Sequence, residues 1–202
     1  MADTLENTEK PAFELTFPEE ENAFVKERYR EAGTILEYGS GGSTVLAAEY
    51  GKPCVSVESD QQWAEMLTER LNDRFHGRPS ARVFPVFMGP TKEWGYPKNA
   101  RNWGQFWRYP LSVWEESTRD QPDLVLIDGR MRTACFAAVM MNIKQETTVL
   151  FDDYTNRNFY HVIERYVKPD LFAGRMAQFT VRPGMLTPDA FSDVVPWFFS
   201  LR

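Results

Sequence analysis

Five acidic residues, each placed where a predicted strand ends, are the side chains of this sequence best suited to chemistry. They are Glu37, Glu58, Asp128, Asp152 and Asp153. Carboxylates can accept hydrogen bonds from sugar hydroxyl groups, take a proton as general bases, or bind hard cations such as Mg²⁺ or Ca²⁺. Because ligands of parallel sheets bind outside the carboxyl ends of the strands, we expect these acids to share one cleft.

The first of these acids begins a glycine-rich stretch that we predict to bind a ligand. Glycine permits a sharp turn, and a ligand can lie against its main chain because no Cβ intervenes. The N–H groups and dipole of the following helix favour a carboxylate or phosphate. An acid at this place disfavours a polyphosphate and suits a ligand that carries an ammonium or several hydroxyl groups. The predicted ligand-binding residues are Glu37, Gly39, Ser40, Gly41, Gly42, Ser43 and Thr44.

Strands and helices alternate along the chain around these residues. The predicted strands lie at 34–37, 54–58, 82–87, 123–129, 147–151 and 176–181, with a short closing strand in 195–201. Helices are predicted between them, including 60–71, 131–144 and 156–167. Pro85 places the third strand at a sheet edge, since proline lacks an N–H to donate. This alternation predicts an α/β fold with a mostly parallel sheet and helices on both faces.

Composition limits the classes of protein to consider. A chain of 202 residues suits one domain, 1–202, in which 1–16 forms a polar N-terminal arm. The formal charge of -6 argues against binding to nucleic acid or to an anionic membrane. Cys54 and Cys135 fall in predicted core elements, so we expect buried free thiols in a reducing compartment. The acidic N-terminus does not resemble a signal peptide, and we expect a cytoplasmic protein.

Glu37-Tyr38-Gly39-Ser40-Gly41 resembles the first motif of class I S-adenosylmethionine-dependent methyltransferases. The resemblance implies a Rossmann-like, doubly wound sheet of six or seven strands with an antiparallel strand at its end, and S-adenosylmethionine as cofactor. Glu58, with Ser59 beside it, would then hold the cofactor ribose. Three alternatives stay open. First, the glycines could belong to a dinucleotide fingerprint, although Thr44 replaces its third glycine. Second, the turn could bind no ligand. Third, Glu58 could be a solvated acid at the end of its strand.

Asp128 after the fourth strand and Asp152-Asp153 after the fifth resemble the metal-ligand positions of catechol-type O-methyltransferases. The resemblance implies a divalent metal, Mg²⁺ or Ca²⁺, and a reaction at oxygen, with these three acids as the catalytic residues. Two departures weaken it. Asp153 replaces an amide, and the segment that follows Asp128 lacks the family's lysine. Alternatively, the acids cap helices and pair with Arg130 and Arg132.

The segment 91–120 is longer and more aromatic than a crossover requires. Trp94, Trp103 and Trp107 could wall a substrate pocket, or they could form the core of an oversized loop. Arg130, near the predicted cleft, indicates an acidic small-molecule substrate, although a salt bridge would explain it equally well.

Together these features predict S-adenosylmethionine-dependent methyl transfer to a small molecule, at oxygen. The alternatives are a non-catalytic cofactor-binding or interaction module on the same fold and a nucleotide-binding oxidoreductase. Neither the acceptor nor the oligomeric state follows from the sequence.

Overall fold

The computed structural model describes residues 13–116 and 121–200. The remaining parts of the predicted arm and insert, 1–12 and 117–120, lie outside the described residues. The seven strands of the main sheet are β1 Ile35–Tyr38, β2 Cys54–Glu58, β3 Ala81–Pro85, β6 Leu124–Ile127, β7 Thr147–Phe151, β8 Leu171–Ala173 and β9 Met176–Val181. A separate hairpin consists of β4 Thr91–Lys92 and β5 Tyr96–Pro97.

The sheet order is β3-β2-β1-β6-β7-β9-β8. The first five of these strands are parallel, whereas β9 runs antiparallel to both β7 and β8. The order reverses between β1 and β6, and this is where ligands of such sheets bind. The predicted Rossmann-like sheet with one antiparallel strand near its end is therefore confirmed. Pro85 indeed lies on an edge strand.

Helices cover both faces of the sheet. They are α1 Glu19–Glu31, α2 Gly42–Glu49, α3 Gln61–Arg74, α4 Arg108–Glu116, α5 Arg132–Asn142 and the short α6 Phe191–Val194. Strand residues alternate between the two faces. Leu36 and Tyr38 contribute to the core that contains residues of α4 and α5, whereas Ile35 contributes to the core that contains residues of α1, α2 and α3. Glu37 consequently points toward α1 and α2.

Two predictions about elements were wrong, and one strand was missed. The predicted helix 156–167 is a 3-10 helix, Asn158–Arg165. The predicted closing strand is another 3-10 helix, Val195–Phe199, which contributes Phe198 to the core. Strand β8 was not predicted because it has three residues, two of them exposed.

Two further findings concern the predicted environment of the protein. Cys54 and Cys135 are buried free thiols, as expected. Across the described ranges, no helix is both long and apolar enough to cross a membrane.

Candidate functional site at the strand ends

The turn after β1 passes very close to the end of β6. Gly39 has φ +101, and a Cβ on it would lie 2.8 Å from the Cα and N of Gly129. The N–H of Gly129 in turn donates to the carbonyl of Tyr38 at 2.6 Å. Only a residue without a side chain fits this contact, so Gly39 and Gly129 together fix the switch point of the sheet.

Gly41, two residues later, faces open space. A Cβ on Gly41 would meet no atom within 4 Å. Its N–H donates to Oγ1 of Thr44 at 3.1 Å, and helix α2 starts at the next residue. The N–H groups of Gly42 and Ser43 lie in the first helical turn, where they have no carbonyl partner within the helix. The turn therefore offers an open main chain and anion-binding donors at one place.

Glu37 lies entirely inside the protein, beneath this turn. Its carboxylate accepts hydrogen bonds from Oη of Tyr29 and from Oγ1 of Thr44, both at 2.6 Å. Burial raises the pKa of Glu37, while hydrogen bonds from Ser56, Thr44 and Tyr29 lower it. This geometry ties α1, β1 and α2 together. It favours a role for Glu37 in shaping the turn over a direct contact with the ligand.

Glu58 ends β2 beside the same turn. Its Oε1 accepts hydrogen bonds from the N–H groups of Ser59 and Asp60 at 2.7 and 2.8 Å, and its Oε2 accepts one from Ser40 at 3.3 Å. Burial raises the pKa of Glu58, against the lowering effect of these three donors. The structure therefore brings Glu58, Ser59 and Ser40 together, as the predicted site requires. Asp60 caps α3, because its side chain accepts a hydrogen bond from the N–H of Trp63.

Arg132, at the start of α5, holds the ends of β6 and β7. Its Nε donates to the carbonyl of Gly129 at 3.0 Å, and its two terminal nitrogens donate to the carbonyls of Asp128 and Asp152. It also pairs with the carboxylates of Asp128 and Asp153, at 3.0 and 3.2 Å. The Arg132 side chain is 4% exposed, so its charge is buried among these contacts.

Arg175 and Arg157 complete the pairing of the remaining acids. Arg175 contacts Asp152 at 3.1 Å and Asp153 at 3.2 Å, and Arg157 contacts Asp153 at 2.8 Å. Arg175 lies in the turn between β8 and β9 and was missed from the sequence. The available signal was Gly174-Arg175, a two-residue hairpin turn in which Gly174 has φ +54.

Asp128 keeps an open side within this network. Its side chain is 35% exposed, unlike those of Asp152 and Asp153. Desolvation raises the pKa of Asp128 to about 7, with the neighbouring Arg132 cation acting in the opposite direction and Asp152 adding to the rise. Asp128 can therefore exchange a proton near neutral pH.

The predicted substrate residues of the insert are exposed. Trp94, Trp103 and Trp107 are 81%, 59% and 37% exposed, so they do not form the core of the insert. Phe106 and Tyr109 are buried there instead. Trp94 stands at the tip of the β4–β5 hairpin with φ +63, a conformation that is strained for a residue with a side chain.

The hairpin of the insert is fixed over the strand ends. Oγ of Ser59 donates to the carbonyl of Gly95 at 3.0 Å, and Oγ1 of Thr91 donates to Asp60 at 2.9 Å. The Arg130 guanidinium lies 4.1 Å from the ring centroid of Tyr96. No carboxylate of the described residues pairs with Arg130, so the salt-bridge alternative for this residue is not supported.

Comparison with solved structures relates this arrangement to known proteins. A methyltransferase-like protein from Silicibacter pomeroyi is 39% identical, with a TM-score of 0.84 over 93% of this chain and 97% of that one. The chain belongs to the class I S-adenosylmethionine-dependent methyltransferases. Rv0187 from MTB, solved with cofactor bound, has the same fold at 15% identity, with a TM-score of 0.58 over 87% of this chain and 85% of that one. A methyltransferase from Geobacter sulfurreducens also has this fold at 10% identity, with a TM-score of 0.53 over 82% of this chain and 80% of that one. No protein-family model and no curated protein matched the sequence.

S-adenosylmethionine fits the residues of this methyltransferase. The open space at Gly41 and the first-turn N–H groups of α2 suit the methionine carboxylate, and the carboxylate of Glu58 suits a ribose. A groove of about 510 Å³ beside Glu58, lined also by Val86 and Phe87, offers space for an adenine.

A divalent metal does not fit this methyltransferase. In the part of the chain that the structure describes, no group of three or more His, Cys, Asp or Glu residues is arranged to hold a metal ion. Asp128, Asp152 and Asp153 contact arginines where the prediction placed a cation. The expectation of Mg²⁺ or Ca²⁺ is therefore not supported. The alternative of pairing with arginines is correct for Arg132.

Proposed function

We propose that this protein binds S-adenosylmethionine at the Gly39–Thr44 turn and methylates an oxygen atom of an acidic small molecule. The observation that carries the proposal is the open main chain at Gly41 between two strand-end acids, Glu58 and Asp128. The 39% identity to a methyltransferase-like protein supports it.

The chain's own residues position the donor and the acceptor. S-adenosylmethionine supplies, when bound, an electrophilic methyl group on a sulfonium. Methyl transfer is an in-line displacement, in which orientation of the two reactants supplies much of the rate enhancement. Gly41 and the first turn of α2 would hold one end of the cofactor, and Glu58 would hold the other.

Asp128 is the proposed general base. An oxygen nucleophile must lose its proton as it attacks, and a base with a pKa near the working pH serves this best. The pKa of Asp128, at about 7, meets that condition. Arg132 donates to its Oδ1 and orients it, while 35% of the Asp128 side chain stays exposed. Asp152 and Asp153 are positioning residues in this scheme, because their carboxylates pair with arginines and are almost entirely buried.

Arg130 and the aromatic insert are the residues that we propose bind the methyl acceptor. Arg130 follows Asp128 and Gly129 directly and has no acidic partner among the described residues, so its charge is available to a carboxylate or phosphate. Tyr96 holds its guanidinium in place. Trp94, Trp103 and Trp107 offer exposed rings for an aromatic acceptor.

Thermal unfolding with S-adenosylhomocysteine, with NAD and without ligand tests the cofactor assignment. Only a ligand of the native state raises the melting temperature, by the equivalent of about 2.7 kcal/mol at a hundred times its Kd. We expect a shift with S-adenosylhomocysteine alone. Gly41→Val should abolish it, whereas Gly104→Val, at an equally open position in the insert, should not. A shift with NAD alone would instead support a nucleotide-binding oxidoreductase.

One observation favours a second candidate function, a non-catalytic cofactor-binding module. All three predicted catalytic acids, Asp128, Asp152 and Asp153, are engaged in salt bridges with arginines. Incubation with S-adenosylmethionine carrying a labelled methyl group and a panel of phenolic and hydroxylated acids separates the two. Label in a small-molecule product supports the enzyme, and binding without transfer to any acceptor supports the module.

A further inference from the structure

Residues 13–15, which we name the N-terminal strap, pass directly over the first residue of α2. A Cβ on Gly42 would overlap the carbonyl group of Glu14 and would lie 2.6 Å from the N of Leu15. The chain can cross at this point because Gly42 has no side chain. The predicted role of Gly42 as a ligand contact therefore has a physical alternative, the passage of the strap.

The strap is anchored to the same side chain as the glycine turn. The ring of Phe13 packs edge-on against Trp63, with centroids 4.7 Å apart, and Phe13 is only 8% exposed. Nε1 of Trp63 donates to the carbonyl of Ser40 at 2.8 Å. Trp63 thus fixes the strap and the turn relative to each other, so a displacement of one is expected to disturb the other.

The three glycines of the turn face three different surroundings. Gly39 packs against the main chain of Gly129, Gly42 packs against the strap, and Gly41, between them in the chain, faces open space. The open position therefore lies in the chain between a glycine that packs on the strand ends and a glycine that packs on the strap.

We propose that the N-terminal strap forms a wall of the cofactor site, next to the methionine end of S-adenosylmethionine. This inference rests on the proposed function for the identity of the ligand. It assigns to Phe13, Trp63 and Gly42 a positioning role that the glycine motif alone does not contain.

Hydrogen exchange of residues 13–17 and calorimetric titration with S-adenosylhomocysteine test the proposal on three variants. Gly42→Ala should displace the strap, speed its exchange and weaken the ligand on the order of tenfold. Phe13→Ala should do the same with no substitution in the turn, and it guards against a direct effect of the alanine at Gly42. Gly41→Ala should weaken the ligand while the exchange of the strap stays as in the wild type. In the wild type, the ligand should slow that exchange.

The outcomes separate this inference from the proposed function. A wild-type protein that binds no S-adenosylhomocysteine overturns the proposed function and the inference with it. If the wild type binds the ligand but Phe13→Ala speeds exchange of the strap with unchanged affinity, the strap is a structural support only. In that case the inference is overturned and the proposed function stands.

Discussion

Replacing Arg132 with methionine should destabilise this protein by about 3–5 kcal/mol, the usual cost of removing one partner of a buried ion pair. Methionine keeps an unbranched apolar stem of similar reach and removes only the charged, donating end. The substitution thus isolates the contribution of the guanidinium.

The contacts of Arg132 account for this magnitude. The substitution removes the donors to the carbonyls of Gly129, Asp128 and Asp152, and each buried acceptor left without a donor costs about 1–3 kcal/mol. Asp152 and Asp153 keep their contacts with Arg175, and Asp128 can take up a proton. Because of these two effects, the expected loss of stability lies near the lower end of the summed costs of the three carbonyl groups.

Urea unfolding followed by circular dichroism measures the loss, with Arg182→Met as the matched control. Arg182 pairs with Glu146 at 2.8 Å, but both side chains are about 60% exposed, so this variant should lose less than about 1 kcal/mol. A loss below about 1 kcal/mol for Arg132→Met as well would refute the reasoning. It would mean that water or a bound cation satisfies the strand-end acids in solution.

Five further outcomes are expected. Glu58→Ala should weaken S-adenosylhomocysteine by about 1.5–3 kcal/mol in calorimetry, and an unchanged affinity in a folded variant would return Glu58 to a structural role. Trp94→Ala should cost less than about 1 kcal/mol of stability and spare cofactor binding, whereas Phe106→Ala should cost about 3–5 kcal/mol; similar losses for both would contradict the exposed position of Trp94. Asp128→Asn should remove the limb of the kcat/KM profile that rises through pH 7, and a retained limb would point to another base. The pKa of Asp128 in the folded protein lies above its ordinary value of 3.8, so its proton stabilises the fold at low pH. This contribution to the free energy of unfolding is lost as pH rises from about 4 to 7. Urea melts of Asp128→Asn should therefore show a weaker dependence of stability on pH. Finally, millimolar Mg²⁺ or Ca²⁺ should leave the melting temperature unchanged, and a marked rise would reinstate the metal site.

The sequence alone located the five parallel strands along the chain, with their carboxyl ends to within about two residues, because strand positions depend on local signals. Buried apolar runs such as Leu124–Ile127 and the glycine turn after Tyr38 carry their structure within a few residues. The contacts that each strand-end acid makes depend on residues farther away in the chain. Glu37 was expected near the ligand, and the alternation of β1 turns it instead toward Tyr29 and Thr44.

Only the tertiary structure decided what each of these residues contacts. Arg175 reaches Asp152 from a hairpin that the sequence barely indicates, and its guanidinium, with that of Arg132, neutralises acids that by themselves resemble a metal site. The three glycines of the turn look equivalent in sequence, and three distant partners make them different: Gly129, open space and Glu14. The exposed tryptophans likewise could not be told from a loop core, because burial depends on which neighbours the fold brings to them. Charge pairing and packing are set by distances between residues far apart in the chain, and no local pattern encodes those distances.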